Sequence, residues 1–246
     1  MVGTLNPVTL VAGAASAIGM ACASRIAPAA TGGLILIDRD AERLDMAADS
    51  LPQAPERVST LPFDLADQTW WRKGSEFIEA QYGRLDWAIV NAGIAAQGDP
   101  HWRAVTSIDI EAAVLSLRAI IALMKRNREG GAIVLTGGFS ASRPRGDRAG
   151  LLHVLHVAAK EGARCGVRVN AVAPSADAAT VSGAPVFEDL VRQLGNPSAA
   201  FERLAQSKAP VARFGGDDVP ELVANLLTDS GRLTGSLLVA DGGYTL

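Results

Sequence analysis

A chain of 246 residues, 48% hydrophobic and 20% charged, has enough material for a full core, and this size is ordinary for one α/β domain. Only 5% of it is aromatic, so the core must be aliphatic, as in a buried parallel sheet. The net charge of −3, with no basic block, argues against nucleic acid or an anionic membrane as partner, and no uncharged apolar run reaches spanning length.

The start of the chain lacks a basic n-region and leads straight into a strand, so a signal peptide is not expected. The two cysteines, Cys22 and Cys165, fall in separate helical patterns. They read as buried thiols in a reducing, cytoplasmic setting, with no disulfide and no metal site expected.

In chain order the periodicity predicts a strand at 8–12, a helix at 18–27, a strand at 34–38 and a helix at 41–50. It continues with a strand at 58–62, a helix at 69–82, a strand at 85–90 and a helix at 102–127. A strand at 132–136, a helix at 149–165, a strand at 167–172, a helix at 218–229 and a strand at 237–239 complete the set. Most of the strands are continuous apolar runs, the pattern of strands covered on both faces. Strand, crossover helix and strand in repetition give a Rossmann-type doubly wound parallel sheet of about seven strands, with helices on both faces. No linker divides the chain and no internal repeat is present, so residues 1–246 read as a single domain. The stretch 175–210 is broken by Pro185, Gly195, Pro197 and Pro210 around short helical pieces. It follows the sixth strand and reads as a substrate lid over the carboxyl ends of the strands.

The first predicted strand runs into Gly13-Ala14-Ala15-Ser16-Ala17-Ile18-Gly19 and then a helix. Strand, glycine turn and helix are the context that a phosphate-binding fingerprint requires. Gly13 allows the tight turn, Gly19 lets the helix approach the strand, and amides around Ser16 and Ile18 face a pyrophosphate with the helix dipole behind them. Asp38 ends the second strand about 20 residues on, where an acid accepts hydrogen bonds from the adenosine ribose hydroxyls. A carboxylate there repels a 2′-phosphate, so NAD is the expected cofactor; Arg39 beside it leaves NADP as the alternative.

These residues resemble the short-chain dehydrogenase/reductase (SDR) family over the whole chain. Asp64-Leu65 is similar to the pair that ends the family's third strand and contacts adenine, and Asn91-Ala92-Gly93 to its structural Asn-Ala-Gly turn. The run from Val167 to Pro174 resembles the sixth-strand signature, and Asp241-Gly242-Gly243-Tyr244 the C-terminal ending. One departure lies in the phosphate loop. Ala17 stands at the family's middle glycine, where a methyl would crowd the pyrophosphate or oppose a left-handed backbone; the latter costs about 1–2 kcal/mol.

The resemblance implies a Ser, Tyr, Lys catalytic set, usually with an Asn. The phenol passes a proton to or from the substrate oxygen, so its pKa must fall from about 10 toward neutral. The ammonium lowers it and grips the nicotinamide ribose, and the serine hydroxyl orients the carbonyl. His156-Val157-Ala158-Ala159-Lys160 imitates the Tyr-x-x-x-Lys spacing but lies too close to the sixth strand. The resemblance puts the family's Lys roughly 18 residues, about five helical turns, before the glycine that precedes the sixth strand, and counting back from Gly166 reaches Arg148. Pro144 then falls at the Tyr, Gly138 at the Ser and Asp109 at the Asn. Glycine and proline have no side-chain proton to give, and arginine does not deprotonate in a protein. No catalytic residue is therefore assigned. The alternative is that the shortened loop brings Ser140 or Ser142 to the reacting oxygen; the two tyrosines, Tyr82 and Tyr244, belong to other elements.

His153, His156 and Lys160 share one helix face, about 12 Å along the helix from Arg148 for His156, and read as surface or interface groups. His101 lies in a loop and carries no signal. Arg143, Arg145 and Arg148 form either a solvated loop or an anion site. Two functions follow: a cofactor-binding, catalytically impaired SDR protein serving as a subunit of a homo- or hetero-oligomer with SDR subunits, or an NAD-dependent alcohol dehydrogenase or carbonyl reductase with a displaced acid. Either takes a dinucleotide and a small carbonyl or alcohol ligand. A dehalogenase-like branch, suggested by Arg148, is set aside because Asp38 and the glycine turn are retained.

Overall fold

The computed structural model describes residues 6–51, 57–91, 102–136, 145–174, 185–196, 199–200, 203, 218–229 and 231–240, with the backbone alone at 102–109, 145–148 and 185–188. Seven strands form one sheet: β1 (Val8–Ala12), β2 (Gly33–Asp38), β3 (Val58–Pro62), β4 (Trp87–Val90), β5 (Gly131–Leu135), β6 (Val167–Pro174) and β7 (Leu237–Ala240). Their order is β3-β2-β1-β4-β5-β6-β7 and every pairing is parallel. The order reverses between β1 and β4, and the crevice at their carboxyl ends is the topological switch point where such sheets bind ligands.

The described helices are α1 (Ala17–Ile26), α2 (Ala41–Asp49), α3 (Gln68–Tyr82), α4 (Trp102–Met124), α5 (Arg145–Ala163), α6 (Pro185–Leu194) and α7 (Asp218–Thr228). α3, α4 and α5 cover one face of the sheet and α1, α2 and α7 the other. Val8, Leu10, Ala12, Ile35, Ile37, Ile133 and Leu135 pack with Trp71, Ile78, Leu117 and Leu155 of α3, α4 and α5. Val11, Leu34, Leu36 and Val134 pack on the other face with Cys22, Leu44 and Val223 of α1, α2 and α7. The two-residue alternation of a strand thus feeds two cores, and both demand apolar side chains. Leu34, Ile35, Leu36 and Ile37 are fully buried, each contributing about 1.5–3 kcal/mol relative to exposure.

Element ends differ from the sequence expectation where side chains take over backbone partners. β4 begins at Trp87, not at residue 85; there the Val8 amide goes to the buried Asp86 carboxylate at 2.8 Å, which also accepts the Arg84 guanidinium at 2.6 Å. α4 ends at Met124, not at residue 127; Asn127 Nδ2 instead donates to the Leu85 carbonyl at 2.5 Å and the Gly130 carbonyl at 3.2 Å. α5 starts four residues early, at Arg145 rather than 149, and β6 runs on to Pro174, where it still pairs with β7. Of the expected lid, α6 and residues 195–196, 199–200 and 203 are described; the remainder of 175–210 lies outside the described residues. No described helix is long and apolar enough to cross a membrane, and the described residues hold no His/Cys/Asp/Glu group suited to a metal.

Candidate functional site

β1 ends at Ala12 and Gly13 turns the chain with φ +77°, a left-handed value natural to glycine. A Cβ at Gly13 would stand 2.3 Å from the Asn91 carbonyl oxygen, so the turn closes against the end of β4 only without a side chain. The amides of Gly13 and Ala14 both donate to the Ile37 carbonyl, at 2.8 and 3.1 Å. The Ala15 amide donates to Asp38 Oδ2 at 3.0 Å, so the end of β2 holds the turn from the side.

Ser16 caps α1. Its Oγ accepts from the Gly19 amide at 3.0 Å and donates to the Gly13 carbonyl at 2.8 Å. Gly19 passes so close beneath the turn that a Cβ there would lie 2.1 Å from the Gly13 oxygen. Between cap and glycine, the Ala17 and Ile18 amides find no acceptor among the described residues. A cradle closed tightly at Gly13 and Gly19 and ending in open helical N–H groups fits a pyrophosphate. Ala17 is the first residue of α1 and is exposed, and Asn6 alone among described non-glycine residues has positive φ. The left-handed strain expected at Ala17 is therefore not incurred. Its methyl remains at the mouth of the cradle.

Asp38 is half-buried at the tip of β2. Its Oδ1 takes the Asp40 amide at 3.1 Å, and each carboxylate oxygen keeps a free lone pair for a ribose hydroxyl. The Phe63 amide donates to the Asp38 carbonyl at 2.9 Å, which brings the next residues, Asp64 and Leu65, beside it. Asp64 is exposed and its Oδ1 accepts the Ala66 amide at 2.9 Å; the Leu65 carbonyl accepts Trp71 Nε1 at 2.9 Å. At the switch point the Asn91 amide donates to the Ala12 carbonyl at 2.9 Å, and its side chain reaches Ser16. Gly13, Ser16, Ile18, Gly19, Asp38, Asp64, Leu65 and Asn91 are thus brought to one end of the sheet. Ala92 and Gly93 lie outside the described residues.

Behind the turn, burial pushes the Cys22 thiol up to about 12, so it stays neutral and unreactive at physiological pH. Of the positions expected from the sequence to match the family's reactive groups, Gly138 and Pro144, with the alternatives Ser140 and Ser142, lie outside the described residues. Asp109 and Arg148 are described by backbone only, in α4 and in the first turn of α5. His153, His156 and Lys160 are exposed on α5 as expected. Thr136 was not singled out by sequence: it reads as a strand's last β-branched residue, yet its hydroxyl donates to Asn91 Oδ1 at 3.0 Å inside the site.

A parallel sheet with a glycine cradle at its switch point defines a Rossmann-type α/β protein. The chain belongs to the short-chain dehydrogenase/reductase family: the short chain dehydrogenase model matches residues 7–189. A cis-4-hydroxycyclohexanecarboxylate dehydrogenase from Sinomonas cyclohexanicum is 30% identical, the match covering 97% of this chain and 96% of that one. An inactive 2-(S)-hydroxypropyl-CoM dehydrogenase 2 from Xanthobacter autotrophicus is 29% identical, covering 90% and 99%. The crystal structure of an NAD+-bound xylitol dehydrogenase superposes with a TM-score of 0.80 over 97% of this chain and 98% of that one; at 24% identity the likeness is one of fold. Members of the family are oxidoreductases that bind a nicotinamide dinucleotide.

Proposed function

We propose that this chain binds NAD(H) through the β1–α1 turn and is catalytically impaired, acting as a non-catalytic subunit of a cytoplasmic SDR homo- or hetero-oligomer. The observation that carries the reading is a contrast within one chain. The cofactor half is supported by the close approaches at Gly13 and Gly19 and by Asp38 holding the Ala15 amide, while the positions expected at the family's Ser, Tyr and Lys hold Gly138, Pro144 and Arg148. When bound, the nicotinamide supplies hydride acceptance or donation. A matching proton must then move at the substrate oxygen, and neither glycine nor proline can move it. The 29% identity to a relative named as inactive is in keeping with such a loss.

The residues proposed to hold the dinucleotide are Gly13, Ser16, Ile18, Gly19, Asp38, Asp64, Leu65, Asn91, Ala92 and Gly93. The Ala17 and Ile18 amides take the pyrophosphate, Asp38 takes the adenosine ribose, and Asp64-Leu65 take the adenine edge. Asp38 selects NAD over NADP by repelling a 2′-phosphate at short range. Residues 1–246 act as one domain, with 175–210 as the lid over a small carbonyl or alcohol ligand.

A second reading, a working alcohol dehydrogenase or carbonyl reductase with Ser140 or Ser142 as displaced acid, is favoured by the 30% identity to a named dehydrogenase over nearly the whole chain. Calorimetric titration of NAD, NADH, NADP and NADPH into the purified chain, followed by a carbonyl and alcohol panel, separates the two. The impaired reading expects NAD and NADH to bind, NADP and NADPH to bind at least tenfold more weakly, and no turnover. Ala17→Gly is expected to tighten NADH binding severalfold by removing the methyl from the mouth of the cradle. Turnover at ordinary enzymatic rates would sink the impaired reading, and an Asp38→Ala chain that binds NAD unchanged would sink the role given to Asp38.

A further inference from the structure

The carboxyl ends of β1, β4 and β5 are joined twice. The backbone ladder ends with the Thr136 amide on the Val90 carbonyl at 3.0 Å and the Asn91 amide on the Ala12 carbonyl at 2.9 Å. One layer further out, side chains repeat the link. Thr136 Oγ1 donates to Asn91 Oδ1 at 3.0 Å, Asn91 Nδ2 donates to Ser16 Oγ at 2.5 Å, and Ser16 Oγ donates to the Gly13 carbonyl at 2.8 Å.

The polarity of this chain is forced from one end. Ser16 has a single hydroxyl proton, and the Gly13 carbonyl can only accept it. Both Ser16 lone pairs therefore receive donors: the Gly19 amide at 3.0 Å and one N–H of Asn91. Asn91 must then present its amide nitrogen to Ser16 and its oxygen to Thr136, and only a hydroxyl can supply the proton on that side. Valine, equal in shape, would leave the Asn91 oxygen facing a methyl. Thr136 is fully buried, so no water compensates at its position.

We infer that Thr136 is a positioning residue for the dinucleotide turn: its hydroxyl fixes the Asn91 amide, which fixes Ser16, which sets the Gly13 carbonyl and the start of α1. The inference rests on the dinucleotide reading above and goes beyond it, because the hydrogen bonds of Thr136 go to Val90 and Asn91 and none to the turn itself. It also explains why the cap residue is doubly held: a serine free to rotate would withdraw its oxygen from the Gly19 amide and let the open amides of the first turn fray.

The test compares the unsubstituted chain with Thr136→Val and Thr136→Ser by hydrogen exchange of the Gly19 amide, NADH titration and thermal unfolding. Thr136→Val is expected to speed Gly19 exchange by roughly tenfold beyond any change at the buried β2 amides, and to weaken NADH binding about five- to tenfold. Thr136→Ser, which keeps the hydroxyl, is expected to restore both. If Thr136→Val leaves Gly19 protection and NADH affinity as they were, or if Thr136→Ser behaves like Thr136→Val, the positioning role is overturned. Should the unsubstituted chain bind no NADH, the dinucleotide reading fails, and the Gly19 exchange of the Thr136→Val chain still decides whether Thr136 sets the turn.

Discussion

Thr9, the second residue of β1, is fully buried on the same strand face as Val11, and its Oγ1 has no hydrogen-bond partner among the described residues. A hydroxyl stripped of water without a replacement costs about 1–3 kcal/mol, more than the methyl of the same side chain returns at one position. Thr9→Val keeps the shape and removes the orphan. It is expected to raise the unfolding free energy by about 1 kcal/mol, read as a higher denaturant midpoint at unchanged slope. Cys22 illustrates the opposite sign. Its folded pKa of about 12 lies above the ordinary thiol value, so the folded state holds its proton where the unfolded chain has released it. The stability it contributes is complete below about pH 8.5 and is lost as pH rises toward 12, by at most about 1.4 kcal/mol per pH unit. Cys22→Ala is expected to flatten that alkaline loss by one proton's worth, measured as the difference in unfolding free energy between pH 8 and pH 11. Ala17 shows where residue-level reading from sequence stopped. A glycine's absence was visible, but whether the backbone needed left-handed freedom depended on α1 beginning one residue before Ile18.

Among the elements, the strands were legible because burial on both faces leaves no room for polar alternation. β1, predicted at 8–12, and β3, predicted at 58–62, have those bounds, and β2 gains only Gly33. Some boundaries were missed where a side chain takes a backbone partner, as at Asn127, and others where backbone pairing or helix simply runs on, as at Pro174 and Arg145, since periodicity reports neither. Arg168 is a further case. It is the second residue of an otherwise largely apolar strand, and its guanidinium crosses to α7, donating to the Leu226 and Leu227 carbonyls at 2.7 and 3.0 Å. Helix C-termini leave carbonyls unsatisfied and negatively polarised, so a cation there closes the helix and anchors it to β6. Burial lowers the Arg168 pKa from its usual value without discharging the group. Arg168→Met fills similar volume but removes the guanidinium from both carbonyls; it is expected to destabilise the chain by about 2–3 kcal/mol and to lower the melting temperature by several degrees. A substitution with no thermal effect would show that water serves those carbonyls equally well. The same logic made Gly13, Gly19 and Asp38 legible and Thr136 opaque. The first three are residue types that a tight turn, a close approach and a ribose contact demand, whereas threonine suits the end of any strand.

At the scale of the whole molecule, the two cores share their strands, and this sets how dinucleotide binding is transmitted. β1 sends Leu10 into one core and Val11 into the other, and β2 divides Ile35 from Leu36 in the same way. Neither core can open alone without breaking the other, so amides of β1, β2, β4 and β5 should exchange only through global unfolding. β3 and β7 form the sheet's two edges, are only partly buried, and should exchange through smaller local openings. A dinucleotide that binds the native turn adds RT ln(1 + [L]/Kd) to the global term, about 2.7 kcal/mol at a hundredfold excess over Kd. NADH at that excess is therefore expected to slow exchange of the central strands about a hundredfold, even at β5 residues such as Val134. Amides of β7 should change far less, because their openings leave the β1–α1 turn intact. NADPH at the same concentration should give the smaller protection that repulsion by Asp38 requires. Uniform slowing across β7 and β5 alike would contradict the division into central and edge strands. No slowing anywhere would mean that the native turn, however well formed, holds no dinucleotide.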